Sequence, residues 1–305
     1  MTRLGISLAA CAALAATPAA PASAGDEPAF EGQGPWAIDY GEQSCRLARN
    51  FSDGDDTITL AFERFLPGPG MRLGIAGDRR KVAPSTKTVR FRYGPDGEER
   101  EQQVYLTVLA DGRSSFLIRS ASLLGELPQD YSPQDSAGTP FSFQAEEELA
   151  AAEKVDSVVF SKGVTGRPLV RLGPMKEPVR ALQACVADLM KGWGLDMDRM
   201  VRMTRLPEPE SPPQSWMSTK DYPPEMLWVW KTGVVGFRLV VDEDGKVASC
   251  HVDLDTPGPF GLATCKAISE HARFKPGLDA EGKPMRSLYV NSVRFQLCCA
   301  LPRRG

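Results

Sequence analysis

Nucleophilic or acid–base chemistry needs a serine, a thiol or a carboxylate within reach of a histidine or a second carboxylate. This chain offers few such sets. Asp39, Asp55, Asp56, Glu63, Asp78 and Asp156 are scattered through the N-terminal half and form no recognisable pair. Ser114, Ser115 and Ser120 have no histidine in their half of the chain to activate them, because the two histidines are His251 and His271. Gly32-Gln33-Gly34 and Pro67-Gly68-Pro69-Gly70 are glycine-rich, yet neither carries the lysine and hydroxyl residue of a phosphate loop. There is no Cys-x-x-Cys and no Cys/His set at metal-ligand spacing. His251 and His271 read as polar or packing residues. The expectation is a non-enzymatic protein with no cofactor and no metal. A hydrolase using acids or serines of the N-terminal half is the enzymatic alternative.

Cysteine offers the one covalent chemistry that the spacing supports. The N-terminal stretch MTRLGISLAACAALAATPAAPASAG has an arginine, an alanine-rich apolar run and the small residues Ala22-Ser23-Ala24, the pattern of a secretory signal over residues 1–24. Leu8-Ala9-Ala10-Cys11 also resembles a lipoprotein box, so a lipid anchor through Cys11 stands as an alternative. Of seven cysteines, setting Cys11 aside leaves six, an even number suited to an oxidising compartment. Six cysteines allow 15 pairings. Cys250 falls on a strand and Cys265 on the following helix, so that pair is expected. Cys45 and Cys185 form a second candidate pair, with two buried thiols as the alternative. Cys298-Cys299 could bridge each other, stay free or pair between chains.

The elements that must position these residues divide at Leu206–Ser215, LPEPESPPQS, whose prolines favour extended backbone and read as a linker over 206–215. Before it, over 33–205, branched and aromatic runs at Thr57–Phe62, Met71–Ile75, Thr88–Tyr93, Gln103–Leu109, Ser115–Ile118 and Ser157–Phe160 alternate with Gly/Pro/Asp turns. They predict a mainly antiparallel β domain, with Phe91, Tyr93, Val104, Leu106 and Val108 as one hairpin's buried face. Helices are expected at Ala145–Val155 and Pro178–Lys191, with a polar bridge over Asp130–Pro140.

After the linker, over 216–299, the pattern predicts a smaller α+β domain. Pro224–Lys231 reads as a short helix whose Leu227 and Trp228 cover the sheet; an exposed patch of Trp216, Trp228 and Trp230 is the alternative. Val235, Phe237, Leu239 and Val241 face one way along a strand and Arg238 looks outward. Asp242-Glu243-Asp244-Gly245 turns the chain into a strand over Lys246–Leu254. A helix at Leu262–Arg273 presents Leu262, Cys265, Ile268 and Ala272. The final strand, Ser287–Leu297, breaks alternation between Val290 and Val293, which suggests a bulge. The net charge of -3 points to neither nucleic acid nor an anionic membrane. No stretch after the signal is apolar enough to span a bilayer, so the mature chain is expected to be soluble and exported.

Tyr222-Pro223, Gly233-Val234-Val235, Val241-Asp242-Glu243-Asp244-Gly245-Lys246-Val247, Cys250, Cys265, Arg273-Phe274-Lys275-Pro276 and Gly282-Lys283-Pro284 occur in this order. The set resembles the C-terminal domain of the TonB energy-transducer family, in the two-cysteine alphaproteobacterial form. The resemblance covers the C-terminal domain alone. It implies a small antiparallel sheet backed by helices, and recognition of an extended peptide, such as a segment of an outer-membrane transporter, at the edge of the final strand. Carried onto this chain, that edge is Ser287, Leu288, Tyr289, Val290, Asn291, Ser292, Val293, Arg294 and Phe295. The function expected is a periplasmic protein-interaction protein that binds by β-strand addition. Energy transduction with a separate anchored partner is the alternative.

Overall fold

A computed structural model of the chain describes residues 29–82, 87–109, 111–127, 144–253 and 256–297. The expected signal with Cys11, the polar bridge Asp130–Pro140 and Cys298-Cys299 lie outside the described residues.

The N-terminal domain is a closed nine-stranded barrel flanked by helices. Its strands are β1 (Ala29–Tyr40), β2 (Cys45–Ser52), β3 (Thr57–Arg64), β4 (Met71–Gly77), β5 (Thr88–Tyr93), β6 (Arg100–Val108), β7 (Ser114–Ala121), β8 (Ser157–Lys162) and β9 (Leu169–Arg171). They run β1-β2-β3-β4-β7-β6-β5-β8-β9, and a parallel β9–β1 pairing closes an otherwise antiparallel circuit. Alternation drives the closure: Ile58, Leu60 and Phe62 on β3, Leu73 and Ile75 on β4, and Phe116 and Ile118 on β7 all point inward and are buried. Phe30, Phe51, Phe91 and Phe160 join them, so side chains fill the barrel.

Helices α1 (Ala145–Ala152), α2 (Lys176–Gly192) and α3 (Met197–Val201) pack on it. Glu148 of α1 is buried and forms an ion pair with Arg64 of β3, and it also accepts from Gln183 of α2 at 2.9 Å. The Cys45 and Cys185 sulfurs are bonded, tying β2 to α2 across a sequence separation of 140.

The smaller α+β domain contains β10 (Glu208–Pro209), α4 (Pro224–Trp228), β11 (Gly233–Val241), β12 (Val247–Val252), α5 (Gly258–His271), β13 (Phe274–Lys275), β14 (Gly277–Leu278), β15 (Pro284–Met285) and β16 (Ser287–Phe295). Its main sheet has the order β12-β11-β16, all antiparallel. Gly245 holds the β11–β12 turn at φ +78°, and a Cβ there would lie 1.8 Å from the Phe274 carbonyl oxygen, so only glycine fits. A Cys250–Cys265 disulfide staples β12 to α5. Residues 206–215 do not run free: Glu208 and Pro209 pair with Lys275 and Phe274, and Trp216 is buried against Phe274 and Tyr289.

Several expectations are corrected. Leu106 and Val108 are exposed, because β6 turns only part of its length toward the core. Helix α5 begins at Gly258, with Pro259 in its first turn, and Leu262 is 76% exposed, while Phe260 takes the buried position. Leu227 and Trp228 do not cover the sheet; both are exposed, and Trp216 and Phe260 do that work from other elements.

Arg238 points away from Val235, Phe237 and Leu239 as expected, yet it is only 2% exposed, because the barrel covers that face. This also removes the expected bulge. β16 pairs with β11 from Ser287 to Phe295 without a register shift. Leu288 belongs to the core shared with the barrel, whereas Tyr289 and Phe295 pack on the helix side. A strand buried on both faces has no need of strict alternation.

Candidate functional site

The barrel-facing side of the small sheet is where the two domains meet. Arg238 on β11 lies with its guanidinium 4.8 Å from the Phe65 ring and 5.8 Å from the Trp193 ring. Its Nη2 donates to the Val252 carbonyl at 2.9 Å, and Asp253 Oδ1 stands 3.9 Å away. Burial pulls this arginine down to about 10, against the opposing pull of Asp253. Asp253 also takes Arg72 at 2.7 Å and Arg119 at 3.4 Å. Gly236 makes room for it: a Cβ there would come within 2.5 Å of Asp253 Oδ2.

His251 stacks on Trp193 at 4.0 Å between ring centres. As a neutral ring it donates from Nδ1 to Gln43 at 2.9 Å and accepts at Nε2 from Ser249 at 3.0 Å. Burial, then the Arg238 charge, pull its pKa down to about 4. A depressed histidine pKa means that the unfolded chain binds the proton first. Stability is therefore expected to be full above pH ~6.5, to fall as pH drops toward ~4 and to level off below. Denaturant midpoints measured across this window should show the fall, and His251→Phe should flatten it relative to the parent.

The second half of β16, Asn291–Phe295, borders a cleft on the small domain. Among the described strands, β16 pairs only with β11. Its first half, Ser287–Tyr289, is buried. Its second half lines a cleft of about 400 Å³, walled opposite by Pro213, Trp216, Met217, Ser218 and Tyr222. That wall is fixed. Ser218 and Asp221 form a capping box, and the Ser218 backbone N–H holds the Asp221 carboxyl below the usual range. Tyr222 meets Phe260 and Phe295 edge-on at 5.7 and 5.5 Å.

The direction of the edge's backbone groups can be read from hydrogen bonds. The Gly236 carbonyl accepts from Asp253 N–H at 3.1 Å, on the β12 side, so it is turned away from its cross-strand partner Ser292. The Ser292 N–H is accepted by Asn291 Oδ1 at 2.7 Å. It therefore points outward from the sheet, and alternation aims Arg294 N–H the same way. Asn291 is itself positioned by donating to the Tyr289 hydroxyl at 2.7 Å. Sequence reasoning missed this side-chain cover of the edge, and also the wall from Pro213 to Tyr222, because it treated those residues as linker and lead-in.

The acids singled out above are dispersed in the structure. Asp56 pairs with Lys81 at 3.0 Å, Glu63 with Arg46 at 3.4 Å, and Asp78 with Arg80 at 3.1 Å, while Asp156 accepts from Ser157 at 2.8 Å. Among the described residues no group of three or more His, Cys, Asp or Glu is placed to hold a metal ion. No described helix is long and apolar enough to cross a membrane.

A disulfide-stapled α+β module built on a three-stranded antiparallel sheet is thus the class that the C-terminal domain defines. Residues 218–297 match the family described as Gram-negative bacterial TonB protein C-terminal, and a TonB C-terminal-like domain occupies that part of the chain. No curated protein and no solved structure matches the chain.

Proposed function

We propose that this is a non-enzymatic interaction protein of the Gram-negative periplasm, whose TonB-like module takes an extended peptide as an added strand along β16. The observation that carries the reading is the edge itself: outward-facing backbone groups at Ser292 and Arg294, beside a cleft with a fixed aromatic wall. An unpaired edge offers donors and acceptors to an incoming strand, and the adjoining pocket selects its side chains. The proposed edge is Asn291–Phe295 rather than all of Ser287–Phe295, because Ser287–Tyr289 is buried and the second half lines the cleft. A segment of an outer-membrane transporter is the partner that the family match favours.

The test is photocrosslinking in cells from benzoylphenylalanine at Arg294, with Asp96 on the barrel's hairpin as the distant control. Adducts are expected from Arg294 alone. Ser292→Pro should abolish them without unfolding the domain, since it removes an outward N–H and no bond to β11. Adducts that survive Ser292→Pro, or that form only at Asp96, would sink the reading.

A further inference from the structure

Helix α4 ends in an unusual way. Trp230 N–H donates to the Leu227 carbonyl at 3.1 Å and Lys231 N–H to the Met226 carbonyl at 2.9 Å. This is the Schellman pattern, whose left-handed residue is normally glycine. Here that residue is Trp230, at φ +53°. A Cβ in this conformation costs stability, and the side chain regains little by packing, because Trp230 is 63% exposed. Trp228 beside it is 79% exposed, and Leu227, Val229 and Val234 are exposed too. A local rule broken with little compensating burial among the described residues points to a surface kept for a partner.

We propose that this tip seats the small domain on a bilayer surface carrying anionic headgroups. The tip is one helical turn and its cap, and none of its residues lines the cleft beside β16. Tryptophan combines a large apolar ring with an N–H donor, which suits the boundary between acyl chains and headgroups. Charge is complementary: Lys231 follows Trp230 directly, and Arg294 stands across from Val234 on the neighbouring strand. Both cations are exposed and hold no ion pair with the described residues. Glu225 is the one carboxylate on α4. Trp230 and Lys231 lie outside the cleft, whereas Arg294 lines it, so the tip itself and not Arg294 sets this site apart from the strand-addition reading.

The test is cosedimentation of the full chain with vesicles of phosphatidylcholine, with and without phosphatidylglycerol. The parent should bind the anionic vesicles and be released by salt. Trp230→Gly should lower binding about tenfold. The same change should leave Tm unchanged or raise it by about 2–4 °C, because glycine suits the cap. Ser292→Pro should leave lipid binding intact. Failure of the parent to bind anionic vesicles, equal binding by Trp230→Gly, or a lipid-free self-association that Trp230→Gly abolishes would each overturn the proposal.

Discussion

Replacing Cys45 and Cys185 together with alanine is expected to lower the stability of the folded chain by about 4–5 kcal/mol on the chain-entropy account of a loop this long. The sulfurs join residues 140 apart. The comparable change at Cys250 and Cys265, 15 residues apart, should cost about 3 kcal/mol. Alanine is the replacement of choice because Cys45 and Cys185 are buried, and a serine hydroxyl there would add a desolvation cost. The loss should reach beyond the barrel. Cys185 lies on α2, and Trp193 at the end of that helix is the platform on which His251 of the small domain stacks. Denaturant titration of both double variants should show the larger drop for the barrel pair. A loss below ~1 kcal/mol there would mean that barrel packing alone holds α2 on β2.

Much of this architecture was legible because alternation is a direct consequence of one-sided burial. The branched and aromatic run Thr88–Tyr93 coincides with β5, and Ser157–Phe160 covers most of β8. The closing strands were not. β1 carries Gly32, Gly34 and Pro35 and shifts register between Gln33 and Ala37, which erases its period. β9 is three residues long. In the small domain the pattern failed where a second layer intervened. Leu288 and Arg238 are buried by the barrel, a partner no local window can see. Trp228 failed for the opposite reason: its residue type predicts a core, yet it is exposed beside Trp230, which sits at a helix cap where glycine is usual, as the exposed-patch alternative has it for both, while Trp216 is buried.

Asp253→Ala should cost about 3–5 kcal/mol, the typical penalty for breaking a buried ion pair by removing one partner. The aspartate serves Arg72, Arg119 and Arg238 at once. Arg238 suffers most. Its Nε and Nη1 already lack hydrogen-bond partners, and no other described carboxylate stands within ion-pair distance of it. Without Asp253 it would be a buried cation held by two aromatic rings and one carbonyl, and the favourable response is for the domains to part and let water in. Adding Arg238→Met should restore much of the loss, because the charge then leaves with its counter-charge. A structural defect at Asp253 alone would instead make the two changes additive. Parting the domains would uncover the Leu288 side chain, which the barrel now covers. Limited proteolysis between Arg202 and Tyr222 should accelerate in Asp253→Ala, and crosslinking from Leu288, silent in the parent, should appear. If both stay at parental levels while stability falls, the cluster holds the fold but does not keep the barrel over Leu288.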